Sequence, residues 1–159
     1  MDVYWSIQRA DTDGNVEADQ ATGGGPTVKA VLDRQDTIVV GTPTLLESSS
    51  PTAPFAVMFE DEGDTGYFYA LETELEQPIA DALHIYDVSN VKDGHLPSEV
   101  KIAWSRDGLK AAVLINDYVH AVFNFESKQG FCRSGFPPPE AQWSVLGHEW
   151  NDEAYNLFN

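Results

Sequence analysis

The clearest pattern in the chain lies between Val100 and Phe125. Val100, Ile102 and Trp104 alternate with Lys101, Ala103 and Ser105, and Arg106-Asp107-Gly108 follows as a turn. Leu109–Ile115 is a second apolar run, closed by Asn116-Asp117, two residues that tolerate the positive φ of a type I′ turn. Tyr118–Phe125 returns with Val119, Ala121, Phe123 and Phe125 on one side. Period-two alternation bounded by turn residues predicts three consecutive antiparallel strands.

A similar device lies upstream. Phe55–Phe59 leads into Glu-Asp-Glu-Gly-Asp-Thr-Gly and Tyr67–Leu71 comes back, which predicts a hairpin with an acidic tip. Tyr4–Ile7 reads as a strand, and Thr27–Leu32 and Thr37–Val40 as two more, separated by a turn at Asp33–Asp36. Pro78–Val88 fits either a short helix or a strand. Residues 10–26 are small, polar and glycine-rich, with Val16 as their one sizeable apolar side chain; they read as a flexible loop. Gly135-Phe136-Pro137-Pro138-Pro139 predicts an extended segment, and Asn151–Phe158 a closing helix capped by Asn151. The expected fold is mainly β within an α+β frame: an antiparallel sheet with meander hairpins and one short C-terminal helix, in a single domain over 1–159.

Composition adds a strong charge. The 159 residues hold 26 Asp and Glu against 9 Lys and Arg, a formal net of −17. Residues 60–99 carry eleven acids and one base, Lys92, for a local net of −10. With 42% hydrophobic residues there is ample apolar surface for a core. A field of this sign repels nucleic acid and anionic membrane and steers cationic partners inward. The single cysteine, Cys132, fits a reducing compartment. The start Met1-Asp2-Val3-Tyr4-Trp5 has neither a basic nor an apolar leader region. These features give the expectation of a soluble cytoplasmic protein with no membrane and no nucleic-acid partner.

Candidate chemistry is sparse. The Glu60–Asp64 cluster lacks the oxygen spacing of a calcium loop and reads as a solvated tip, or as an electrostatic hook for a cationic protein. If Tyr67–Glu76 is one long strand, Glu72, Glu74 and Glu76 stand on one face about 7 Å apart. Such a row either is an ordinary polar face or imitates a nucleic-acid backbone. Four histidines (His84, His95, His120, His148) show no metal-ligand spacing, so no metal and no cofactor is expected. Cys132 with His148 makes a conceivable thiol and base, with Asp152 nearby in sequence, but nothing marks an oxyanion hole. No catalytic residue is assigned.

Several strings also resemble a family of small, uncharacterised bacterial proteins known as a domain of unknown function. They are Phe59–Ala70, Asp81–Val88 (Asp-Ala-Leu-His-Ile-Tyr-Asp-Val), Trp104–Lys110, Tyr118–Phe123 and Gly130–Pro138. The resemblance spans roughly residues 55–159. It implies a bacterial intracellular protein and transfers no activity. In size and charge the chain is also similar to immunity partners of bacterial toxins. The function expected is therefore an acidic binding protein, an immunity-type inhibitor that neutralises a cationic partner such as a toxin. Its contact surface is placed on Glu60, Asp61, Glu62, Asp64, Tyr67, Tyr69, Glu72, Glu74 and Glu76. The alternative is a small-molecule-binding or hydrolytic domain using Cys132 and His148.

Overall fold

The computed structural model describes residues 4–10, 16–20, 27–139 and 142–158, and the fold is mainly β. Alternation decides which side chains meet. In β5 (Phe55–Asp61), Val57, Phe59 and Asp61 turn inward; in β6 (Thr65–Glu72), Phe68 and Ala70 do so, and in β7 (Ile79–Asp87), Leu83 and Ile85. With β4 (Thr44–Ser49) these strands form a four-stranded antiparallel sheet in the order β4-β5-β6-β7. Pro78–Val88 thus supplies a strand rather than a helix. Its bulged pairing with β6 leaves Leu83 and Ile85 buried on the core side.

The large sheet has seven strands. The predicted meander is present as β8 (Ser98–Trp104), β9 (Lys110–Ile115) and β10 (Tyr118–Asn124), antiparallel and adjacent, with β11 (Gln129–Cys132) beyond them. Asn116 and Asp117 carry φ of 50° and 64°, the left-handed pair that the β9–β10 turn requires. Gly108, at φ 74°, packs so close to the β4–β5 loop that a Cβ there would lie 2.1 Å from Thr52 Oγ1. Thr52 and Ser50 donate from that loop to the carbonyls of Asp107 and Gly108, tying the two sheets at one end.

On the other side of β8 lies β3 (Thr27–Ile38), then β1 (Tyr4–Ala10), parallel to β3, and β2 (Val16–Gln20), antiparallel to β1. Two expectations change here. The region 27–38 is one long strand: Asp33–Asp36 does not turn but passes through, with a bulge between Leu32 and Arg34. The bulge directs Asp33 to accept from Ser48 Oγ at 2.5 Å, and Ser48 in turn accepts Trp104 Nε1–H at 2.8 Å. Within 10–26, Val16–Gln20 is a strand held by backbone pairing with β1, a partner that composition does not reveal; residues 11–15 and 21–26 lie outside the described ones.

The two sheets pack face to face over one aromatic core. Phe55 stacks on Phe125 (4.6 Å) and Phe68 on Phe123 (5.2 Å), while Trp143 meets Phe123 and Phe125 edge-on. Burying one such ring contributes about 2–3 kcal/mol. The outer face of the large sheet carries a second apolar layer (Ala30, Ala112, Leu114, Val122), covered by a C-terminal 3₁₀ helix, Asp152–Phe158, through Ala154 and Phe158. Asn151 Oδ1 accepts the Glu153 N–H at 2.9 Å, the expected N-cap. The outer face of the small sheet has no such cover among the described residues. No helix of the described residues is long and apolar enough to cross a membrane.

Candidate functional site

On that outer face two cross-strand rows run side by side. One is Leu45–Glu60–Tyr67–His84, the other Glu47–Met58–Tyr69–Ala82. Tyr67 and Tyr69 stand next to each other on β6, rings stacked at 5.9 Å, and His84 meets Tyr67 edge-on at 5.6 Å. Tyr69 O–H donates to Glu60 at 3.4 Å; burial and the Glu60 charge raise its phenol pKa above the ordinary value, so it remains a neutral donor. Residues 44–87, which contain the whole sheet, hold ten acids and no lysine or arginine. The face therefore presents a half-buried tyrosine pair flanked by the carboxylates of Glu47 and Glu60, with the uncharged Leu45, Met58 and Ala82 between them and His84 at the edge.

The nine residues singled out from sequence do not all share it. Glu60, Tyr67 and Tyr69 do. Glu62 and Asp64 sit in the hairpin connection, where Glu62 is exposed and accepts Thr65 O–H and N–H, which lower its pKa. Asp61 faces the other way and is 1% exposed. Its carboxylate accepts Tyr86 O–H (2.6 Å), Gly41 N–H (2.7 Å) and Gly63 N–H (2.9 Å), making it a fold-holding anion rather than a surface charge. Burial and Asp61 together raise the Tyr86 pKa strongly. The carboxylate row at 72, 74 and 76 does not exist as a strand face: β6 ends at Glu72 and the chain turns, with Leu75 N–H bonded to the Glu72 carbonyl and Thr73 N–H to that of Pro54. Glu74 and Glu76 are exposed on that turn.

A second constellation, which sequence reasoning missed, lies where β7 meets the C-terminal segment. Asp81 accepts from Ser144 Oγ (2.6 Å) and from His148 Nε2 (2.9 and 3.1 Å), and Ser144 Oγ accepts Gly130 N–H (2.7 Å). His148 Nδ1 faces the Pro137 carbonyl. Both ring nitrogens thus point at oxygens that only accept, an arrangement satisfied by a doubly protonated imidazolium. Burial opposes that charge, but the Asp81 hydrogen bond and charge, with the Pro137 carbonyl, outweigh it and raise the His148 pKa. A cleft of about 200 Å³ lined by Ile79, Pro137, Pro138 and the pair opens alongside. The residue types are those of a hydrolytic triad, but the wiring differs. Ser144 donates to the acid instead of to the histidine, so no base is poised on its hydroxyl.

Nor do Cys132 and His148 face each other as nucleophile and base. Cys132 is buried, its sulfur lies against Ser134 Oγ and the Phe136 carbonyl, and burial raises its pKa despite those contacts. The His148 ring is committed to Asp81 and Pro137. The four histidines take part in no group of three or more metal-ligating side chains among the described residues. The one sequence signal for the Asp81 cluster is a lone acid in the otherwise apolar run Ile79–Leu83.

Comparison with known proteins agrees with the family resemblance of the sequence. A protein of Haemophilus influenzae, itself described as uncharacterized, is 41% identical over 111 residues, covering 69% of this chain and 69% of its own. No solved structure matches significantly. The matching family model covers residues 38–159, from the end of β3 through the C-terminal 3₁₀ helix. With three quarters of its length inside that match, the chain belongs to the family described as uncharacterized protein conserved in bacteria, DUF2251.

Proposed function

We propose that the protein is an acidic binding module that docks a cationic partner protein through the outer face of its small sheet. The observation that carries this reading is the Tyr67–Tyr69 pair in a segment with ten acids and no lysine or arginine. Tyrosines at the centre of a contact supply area with little entropy loss, and surrounding carboxylates steer and orient a basic partner. An inhibitor of the immunity type, neutralising a toxin, is the most concrete form of this function; size and charge support it. The wiring of Ser144 and the burial of Cys132 weigh against the hydrolytic alternative.

The test is capture from lysate of the source bacterium with wild-type protein and with a Tyr67→Ala/Tyr69→Ala double variant as baits. Bound proteins are identified, and the affinity of the purified partner is then measured against salt. The reading expects a basic protein held by the wild type, released by salt and not retained by the double variant. Equal retention by both baits would overturn it. Inhibition of the partner's own activity by the bound protein tests the immunity form.

A further inference from the structure

On the opposite side of the sandwich, Arg133 extends β11 and bonds through its backbone N–H to the His120 carbonyl. Its guanidinium is fixed by four contacts. Nε donates to the Val119 carbonyl at 3.1 Å and Nη2 to Tyr155 Oη at 2.7 Å, while its central carbon lies 3.7 Å from the Trp150 ring centroid and 4.7 Å from that of Tyr118. With Nε and Nη2 engaged, the Nη1 amino group has no protein partner among the described residues. No carboxylate of those residues pairs with it either. That is unexpected in a chain with 26 acids and 9 bases, where Lys101 and Lys110 each contact two carboxylates. Asp152, two residues beyond the stacked Trp150, accepts Trp150 Nε1–H at 2.8 Å instead of pairing with the guanidinium.

We propose that Arg133 is an oxyanion-binding residue, presenting a pre-oriented guanidinium edge to a carboxylate or phosphate group on the outer face of the large sheet. Three features favour it. Stacking on two rings and two hydrogen bonds remove the rotamer freedom that an arginine normally loses on binding, so the remaining donors are already ordered. The guanidinium is weakly hydrated and matches two oxygens at once, a geometry that a lysine does not offer. Finally, no carboxylate of the described residues lies within ion-pair distance of the guanidinium. His120 beside it, T-shaped on Tyr118 at 5.2 Å, is held neutral: burial and the Arg133 charge push its pKa down to about 4. Arg133 therefore supplies the positive charge of this cluster, within a molecule that is otherwise strongly negative.

The site is separate from the tyrosine face and stands or falls independently of it. The test is a titration of the full-length protein, followed by ¹H–¹⁵N resonances of Arg133 Nε and Trp150 Nε1, with sodium acetate, sodium phosphate and, at matched ionic strength, sodium chloride. Saturable shifts confined to this cluster with acetate or phosphate, and not with chloride, are expected; which of the two saturates first names the class of anion. A bound anion also removes part of the charge that suppresses His120, so the His120 titration midpoint should move upward. In Arg133→Lys, which keeps the charge but not the fork, affinity should fall by about tenfold or more. The wild-type titration needs no variant to fold. Absence of saturable shifts, equal shifts with chloride, or unchanged affinity in a folded Arg133→Lys protein would each overturn the proposal.

Discussion

Asp61 and His148 are buried ionisable side chains whose charge holds backbone and side-chain hydrogen-bonding groups in place. Replacing Asp61 with Ala strands Tyr86 O–H and the Gly41 and Gly63 amides, and each orphaned donor costs about 1–3 kcal/mol. An overall loss of roughly 3 kcal/mol in urea unfolding is expected, against a much smaller effect for Glu62→Ala on the exposed tip. For His148 the sign follows from its raised pKa. The folded state holds the proton more tightly than the unfolded chain, whose histidine titrates near the ordinary value of 6.5. The stabilisation is fully present below 6.5 and is lost as pH rises from there through the higher folded value. Wild-type stability should therefore decline across that window, while His148→Gln, which cannot charge, should lack the decline. Parallel pH profiles would refute the imidazolium assignment. Part of this scale is legible in the sequence. The spacing Val57-Phe59-Asp61 places Asp61 on the buried side of a strand, although the density of acids around it makes it look like one member of a surface cluster. The Asp81–His148 pair, 67 residues apart, is not legible, because it exists only once β7 and the C-terminal segment meet.

At the scale of elements, legibility follows sequence-local chemistry. The β8–β9–β10 meander and the β5–β6 hairpin follow from period-two alternation and from turn residues such as Asn116 and Asp117. Partners distant in sequence decide the rest. Asp33–Asp36 has turn-forming side chains, yet pairing with β8 and the Ser48 hydrogen bond keep β3 running through them. Tyr67–Glu76 has the pattern of a continuous strand, yet β6 stops at Glu72, where backbone hydrogen bonds to Pro54 and Pro78 turn the chain. The β6–β7 pairing also has a steric requirement at Gly66. A Cβ there would sit 2.6 Å from Tyr86 Cζ, inside the ring that donates to Asp61. Gly66→Ala should displace that ring, break the hydrogen bond from Tyr86 O–H to Asp61, and destabilise by roughly 1–3 kcal/mol. A Tyr86→Phe background should reduce the hydrogen-bond share of the penalty but keep the steric one. If Gly66→Ala is neutral in thermal unfolding, the packing of Tyr86 against β6 is looser than the geometry requires.

For the whole molecule the governing quantity is the distribution of a net charge of −17 over two unlike halves. Residues 44–87, the small sheet and its connections, contain no lysine or arginine; all nine lie outside them, and of these Lys101 and Lys110 are already engaged by acids. Repulsion is therefore concentrated on one side of the sandwich, and it disfavours the compact state. At 0.15 M salt the screening length is about 8 Å, so acids on neighbouring strands still feel one another while the two sides of the domain scarcely do. Added sodium chloride should raise the thermal midpoint of the free protein, steeply at first and then with little further change. Reversing Glu47 and Glu60 to Lys moves the net from −17 to −13, two units per reversal, and does so on the face proposed to dock the partner. The doubly reversed protein should be more stable than wild type at low salt and indistinguishable near 1 M, where the screening length is about 3 Å. Its association with a cationic partner should slow by an order of magnitude or more at low salt while dissociation changes little, because rim charges act on the encounter more than on the bound state. Stability and association would then respond to the same two carboxylates in opposite directions. A double reversal that alters neither, measured at low ionic strength by thermal unfolding and by stopped-flow mixing, would show that the acidic half of the protein is there for solubility and that the partner is recognised elsewhere.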